Sequence, residues 1–275
     1  MAPWAFMRVN YIPMTLGIVL SLGLVTCYVI AVLRKDVSPY MPFISETGGQ
    51  FPEAGLFSFF LYLSSVAGIS TIFIRYIIVD ELNRGIDRLM DILNRISVCI
   101  GFIALLGMVV VAAYPMTSIA TAHGIGANIL FLGGVIYASL QTALSFRMSP
   151  YYNGKFICFI RLTITIISGI SLIVLISLMP FAMKEWGGSS HSHWTGAKTP
   201  KDKGFYLLLA SSIAEWSMAI SFLAYYFTFI REFAKVCIHL RVQMLVTHFD
   251  EEPHAASVGV VNERTPIVMQ RNDDG

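Results

Sequence analysis

Six long apolar runs, at residues 12–33, 55–74, 98–114, 125–146, 157–180 and 205–230, leave this chain few ways to fold. A bilayer core of roughly 30 Å is crossed by about 20 residues of helix, and each run is near that length. Inside hydrocarbon the backbone has to satisfy its own hydrogen bonds, which a helix does segment by segment. The chain is therefore predicted to be all-α: a polytopic membrane protein with a six-transmembrane-helix bundle over residues 1–249 and a disordered cytoplasmic tail over 250–275. Composition agrees, because 56% of the residues are hydrophobic, only 13% are charged and the mean hydropathy is +0.68, values that exclude an ordinary soluble domain. The first run has no small-residue cleavage site behind it and is followed by Arg34-Lys35-Asp36, so it reads as a retained span and not a signal peptide.

Orientation follows from the basic residues, which concentrate in cytoplasmic loops. The N-terminal segment, the second and fourth loops and the tail hold Arg8, Arg84, Arg88, Arg95, Arg147, Lys155, Arg231, Lys235, Arg241, Arg264 and Arg271. The opposite side holds only Arg34, Lys35, Lys184, Lys198, Lys201 and Lys203, so both termini are expected in the cytoplasm. Cys27, Cys99 and Cys158 fall in or beside spans and Cys237 in the tail, which predicts no disulfide.

The loop after the first span reads PFISETGGQFPE, from Pro42 to Glu53, and is too polar for either neighbouring run. Pro42 and Pro52 restrict the chain, Gly48-Gly49 permit a turn at positive φ, and the Ser45 and Thr47 hydroxyls can serve local backbone groups. The expectation is a lid over the lumenal helix ends, with Glu46 and Glu53 either meeting His123 or receiving a lipid or protein partner. The second loop, Val79 to Ser97, sets Leu82, Ile86, Leu89, Leu93 and Ile96 at helical spacing among charges. It is expected to form an amphipathic helix, lying on headgroups, extending the adjoining spans, or docking a cytoplasmic protein partner through residues 79–97. Residues 231–275 are the second expected partner surface. Their first part alternates apolar and polar residues as a strand does, but a lone strand lacks a partner, so a fading helical continuation is the preferred reading.

Charge at membrane depth costs about 2.5 kcal/mol or more at a helix centre, so its few instances carry meaning. Arg75, beside Tyr76 at the end of the second span, reads as a cytoplasmic anchor whose head snorkels outward. Arg161 sits roughly 6 Å inside the fifth span and Glu215, with Trp216 next to it, lies well inside the sixth, more than roughly 10 Å away along the membrane normal, which argues against a direct ion pair. Glu215 is expected to bond across the bundle to Asn128, Tyr137 or Gln141, or to be protonated by desolvation, as a packing clamp or as part of a lipid- or proton-handling site. His123, in TAHGIGA, reads as a loop cap or a pH sensor. His191 and His193 lack acidic or thiol neighbours, so no metal is expected. No phosphate loop or nucleophile elbow is present, so the sequence suggests no catalytic residues, no cofactor and no nucleic-acid partner; the bilayer, or one specific lipid within it, is the expected partner.

These features occur in a recognisable order. PFISETG followed by PE, Arg75-Tyr76, His123-x-x-Gly126-Ala127, Tyr137 with Gln141-Thr142, Arg161, and AEWSMAISFLAYYFTFIREFAK from Ala214 to Lys235 together resemble the damage-regulated autophagy modulators, the DRAM branch of the Frag/DRAM/Sfk superfamily. His193-Trp194 and Asp202-Lys203-Gly204-Phe205 resemble that branch's fifth loop. The resemblance implies a non-enzymatic six-span protein of lysosomal or late-endosomal membranes that promotes autophagy and links stress to cell fate. In the tail, Glu263 with Ile267-Val268 stands where the family carries an acidic dileucine sorting signal; the altered dileucine, behind Pro266, raises the plasma membrane as an alternative destination. Other branches imply a rival function, lipid handling or recruitment of a phosphoinositide kinase. An ion channel is disfavoured because the polar residues do not line a continuous path.

Overall fold

Six helices long and apolar enough to cross a membrane form the body of the protein in a computed structural model that describes residues 7–187 and 198–238. They are α1 (Tyr11–Arg34), α3 (Glu53–Asn83), α4 (Arg88–Ala113), α5 (Ala120–Arg147), α6 (Lys155–Gly187) and α7 (Phe205–Phe227). Two single-turn helices, α2 (Ile44–Thr47) and α8 (Ile230–Phe233), and two-residue strands β1 (Met7–Arg8) and β2 (Cys237–Ile238) complete the elements. Arg8–Cys237 form one compact unit; the second unit, Met1–Met7 with Ile238–Gly275, contributes only Met7 and Ile238 to the described residues. Six crossings return the chain to the side from which it started.

Each apolar run of the sequence falls on one long helix, and the helices outrun the hydrocarbon. Of the readings of Val79–Ser97, the structure takes the one that extends the adjoining spans and not a separate surface helix. α3 continues to Asn83, the chain reverses through Arg84 and Gly85 at φ 44° and 75°, and α4 begins at Arg88. Glycine tolerates that left-handed geometry, so Gly85 permits the break. Asp87 then caps α4, accepting from the Leu89 and Met90 N–H groups at 2.9 and 3.2 Å, while Asn83 and Asp87 exchange hydrogen bonds of 2.9 Å across the turn. Leu82, Ile86, Leu89 and Ile96 face outward, whereas Met90, Asn94 and Ser97 face the bundle. Asn94 ties the two helices together by donating to the Tyr76 carbonyl at 3.0 Å.

The segment after the last span is corrected. Instead of fading as helix, the chain makes the single turn α8 and enters strand at Cys237–Ile238, which pairs with β1. The partner that a lone strand lacks is thus supplied by residues more than two hundred positions earlier, which no local pattern reveals.

Helices pack in the order α1–α3–α4–α5–α6–α7, with α1 also touching α7. In a bilayer apolar surface gains little from burial against another helix, so close approach of backbones becomes the main source of adhesion. The α4–α5 seam depends on this: a Cβ at Gly107 would stand 2.7 Å from the Gly126 carbonyl oxygen, and one at Gly126 would stand 2.9 Å from the Gly107 oxygen. Leu24, Phe57, Leu61, Ile72, Leu105, Met108 and Tyr137 fill the bundle centre beside this seam. Gly126→Leu is expected to destabilise the fold by about 1–3 kcal/mol through forced separation of α4 and α5. The exposed Gly55→Ala, where a Cβ meets nothing within 4 Å, is expected to match wild type when both variants are unfolded in detergent by heat or denaturant.

Candidate functional site

Polar residues gather at the two poles of the bundle, and the loop between α1 and α3 builds the first. Pro42–Gly49 does not lie across the helix ends as a lid. It is a plug: Pro42, Phe43, Ile44, Glu46, Thr47, Gly48 and Gly49 are all buried, and only Ser45 is partly open. A buried loop has to find partners for its backbone, and α7 provides them. Ile44 donates its N–H to Glu215 Oε2 at 2.8 Å, Trp216 donates its indole N–H to the Pro42 carbonyl at 2.8 Å, and Ser212 donates to the Met41 carbonyl at 2.6 Å. Thr47 donates to the Ile44 carbonyl at 2.7 Å, closing the α2 turn, and Ser45 donates to Met116 Sδ at 3.4 Å.

Glu46 accepts from the Phe43 N–H at 3.1 Å and pairs with the Lys198 ammonium, which also sits 5.2 Å from the Phe43 ring centre and 5.8 Å from that of Trp186. Burial pushes the Glu46 carboxyl above its ordinary range, against the opposing pull of Lys198 and the Phe43 N–H. Glu53, fully buried at the first turn of α3 behind the exposed Pro52, meets Arg34 Nε at 3.0 Å. His123 is buried with Nδ1 2.7 Å from the Tyr114 carbonyl oxygen.

Several expectations change accordingly. Glu215 bonds to the loop backbone and not to Asn128, Tyr137 or Gln141, because the plug occupies the space between α7 and the neighbouring helices. Neither Glu46 nor Glu53 meets His123, since basic residues claim both carboxylates. Gly48 has φ −108°, and positive φ occurs at Gly85 and Gly204 but not at Gly48 or Gly49. Gly48 is required for space: a Cβ there would lie 2.3 Å from Cγ of Phe57.

The second pole corrects Arg75, which does not snorkel. Arg75 and Arg161 are both fully buried, and both pair with Glu232 of α8, Arg161 at 2.8 Å. Arg75 also donates to Gln141 Oε1 at 3.0 Å; Arg161 donates to Ser145 Oγ at 2.6 Å and Thr228 Oγ1 at 2.9 Å. Phe229 lies between the guanidiniums, its ring centre 5.2 Å from Arg75 and 4.7 Å from Arg161, where its π face offsets the charge that one carboxylate leaves over. Tyr76, half-buried beside Arg75, contributes its carbonyl to Asn94. Arg161 and Glu215 form no pair, as their separation along the bundle predicts. Glu232 was missed because it follows the last apolar run, yet two arginines at depth with no acid at their level are the sign that one must return.

Between the poles lie two cavities. The central one, about 120 Å³, is lined by apolar residues of α1, α3, α4, α5 and α7, among them Leu20, Leu105, Met108 and Phe222, with Tyr137 at its floor. The other, about 160 Å³, lies between α5 and α6. Ser45, His123 and Glu215 line both, and Arg161 lines neither. Among the described residues no three His, Cys, Asp or Glu side chains converge to hold a metal ion. His191, His193, Trp194, Glu263, Ile267 and Val268, and with them the tail from residue 239 on, lie outside the described residues.

A bundle of six apolar helices with internally paired polar poles defines a polytopic α-helical membrane protein. Residues 8–236 match the model of the Frag1/DRAM/Sfk1/Cwh43P N-terminal domain, and the chain belongs to that family, within its DRAM branch. It is 34% identical over 242 residues to DNA damage-regulated autophagy modulator protein 1 of Xenopus laevis, covering 88% of this chain and 97% of that one. It is 31% identical over 271 residues to DNA damage-regulated autophagy modulator protein 2 of Homo sapiens, covering 97% and 98%. The Danio rerio protein named modulator of macroautophagy TMEM150B is 24% identical over 230 residues, 83% of this chain and 87% of that one. No solved structure matches.

Glu232→Met leaves two like charges buried without an anion, and is expected to lower stability by about 3–5 kcal/mol. Arg161→Met leaves Arg75 and Glu232 as a balanced pair and should be less harmful. Unfolding of the purified variants in detergent ranks them; equal losses would contradict the shared-anion arrangement.

Proposed function

We propose that this protein is a non-enzymatic, multispan regulator of autophagy on lysosomal or late-endosomal membranes, linking stress to cell fate. The observation that carries this reading is the near-full-length match to relatives named autophagy modulators, which extends over all six helices and both polar poles. Their names describe modulators, which supports regulation without catalysis. The bundle then serves as a rigid frame, and the exposed turn at Arg84–Asp87 together with residues 231–275 meets cytoplasmic proteins. Ile86, 86% exposed at the tip of that turn, and the Asp87–Arg147 ion pair that braces it against α5 give this surface a defined shape.

Deleting the protein, or overexpressing it, is expected to change autophagic flux, measured as cargo turnover with and without lysosomal inhibition. Ile86→Asp should insert and fold as wild type yet fail to rescue the deletion. Unaltered flux on deletion overturns the reading.

The charge count supports a cytoplasmic location for the termini, the 84–87 turn and the 148–154 loop. Gly49 is buried, so a reporter there would break the plug; the exposed Phe51 and Tyr151 are better sites. A membrane-impermeant thiol reagent is expected to label Tyr151→Cys from the cytosol and Phe51→Cys only after the organelle is opened, in a background lacking Cys99 and Cys237. The reverse pattern inverts the topology.

A second reading, lipid handling with or without recruitment of a phosphoinositide kinase, is favoured by the apolar cavities that end on His123 and Glu215.

A further inference from the structure

The two cavities share a wall made by Ser45, His123, Ala127, Phe131 and Glu215, and its donors are engaged within the protein while a carboxyl oxygen and an imidazole nitrogen are not. Glu215, 7% exposed, uses Oε2 to accept from Ile44; Oε1 has no hydrogen-bond partner among the described residues. His123, 5% exposed, points Nδ1 at a carbonyl oxygen, which only accepts, so Nδ1 carries the proton and Nε2 is left as a bare acceptor. Asn128, exposed on the α5 side of the outer cavity, turns its amide N–H back to the Gly124 carbonyl at 2.8 Å, which leaves Oδ1 without a partner among the described residues. Ser45, the hydroxyl donor of the wall, is engaged with Met116. The junction therefore presents a carboxyl group beside two unengaged acceptors, His123 Nε2 and Asn128 Oδ1, while its hydroxyl and imidazole N–H are already engaged. Among the described residues Glu215 makes no ion pair, and the nearby Lys198 is paired with Glu46. Unfilled acceptors at membrane depth are costly, so the arrangement favours an occupant that brings N–H and O–H groups.

The remainder of the lining is apolar. A cavity of about 150 Å³ takes a benzene-sized guest, so the central space here, about 120 Å³, admits only a few carbons, and the length of any chain has to run out through the outer cavity, about 160 Å³, which suits one slender chain and not the two of a diacyl lipid. The outer cavity provides a way in from the bilayer. Leu172, Leu175, Ile176 and Met179 of α6 face α5 across it, Ile176 is half-exposed, and a Cβ at Gly124 would meet nothing within 4 Å.

We propose that the crevice between α5 and α6 binds a single-chain lipid with an amino-alcohol head, its ammonium and hydroxyl groups held by Glu215, His123 and Asn128 and its chain running out between the two helices to the bilayer. Charge complementarity selects the head: an ammonium neutralises the Glu215 carboxyl, whereas a phosphate or carboxylate head sets like charge against it. The proposal stands apart from the autophagy reading, because the purified protein reports it whatever the flux assay gives.

The test uses the full chain in detergent, with sphingosine as the probe and oleate as a chain-matched anion, read by native mass spectrometry and by thermal unfolding. Sphingosine is expected to bind one to one and raise the unfolding temperature, with an affinity at least about tenfold above that of oleate, the scale of one charge-assisted hydrogen bond. Glu215→Gln keeps an oxygen for the Ile44 N–H and should remove the preference for sphingosine. Gly124→Phe, which leaves the head-binding residues intact, should block entry and supplies the answer should Glu215→Gln fail to fold. Equal binding of oleate, or wild-type sphingosine binding by either variant, overturns the proposal.

Discussion

A polar group surrounded by hydrocarbon needs a partner within the protein, and both ends of this bundle are arranged around that requirement. The plug between α1 and α3 places a turn of irregular backbone inside the helix ends, where water does not reach it. It is held there because Glu215, Trp216 and Ser212 of α7 take up its N–H and carbonyl groups. At the other pole Arg75 and Arg161 persist in the interior because Glu232, Gln141, Ser145, Thr228 and the face of Phe229 surround them. Buried ion networks of this kind add little net stability over apolar packing, but they penalise every alternative arrangement in which a charge is left alone. Their contribution is to specify which helices adjoin.

α7 is the element common to both poles. Its N-terminal half holds the plug, its C-terminal end leads directly into Phe229 and Glu232, and its middle forms a wall of the central cavity through Ala219 and Phe222. A substitution on α7 therefore reaches the plug, the cavity and the arginine cluster through one rigid rod. By contrast, the α4–α5 seam is set by backbone contact at Gly107 and Gly126 and has little room to shift. Any adjustment that opens the bundle sideways falls more naturally between α5 and α6, where a cavity already separates side chains.

The number and places of the spans were legible in the sequence because burial in lipid demands about 20 consecutive apolar residues, a signal contained within each segment. So was the choice of polar residues worth weighing: Arg75, Arg161, Glu215, His123 and the PFISETGG loop all occupy structured interior positions. Their partners were not legible. Ile44 and Glu215 are 171 residues apart and Arg75 and Glu232 157, and hydropathy carries no information about which rods adjoin. Gly48 shows a subtler failure: glycine answers both to unusual φ and to lack of room, and only the position of the Phe57 ring distinguishes them. The stripe from Leu82 to Ile96 suited both a surface helix and extensions of the adjoining spans, because a membrane helix also shows apolar residues to its lipid side; only the break at Arg84–Gly85 distinguishes them.

The arginine cluster also fixes how the polypeptide leaves the membrane region. Glu232 is four residues ahead of Val236, and its carboxylate is shared by side chains from α3 and α6, two rods that flank different parts of the bundle. The exit is thus a knot of three strands of chain and not the free end of one. Tension on whatever follows is delivered to α3 and α6 together, giving the chain beyond this point a mechanical purchase on both rods that a simple helix terminus lacks.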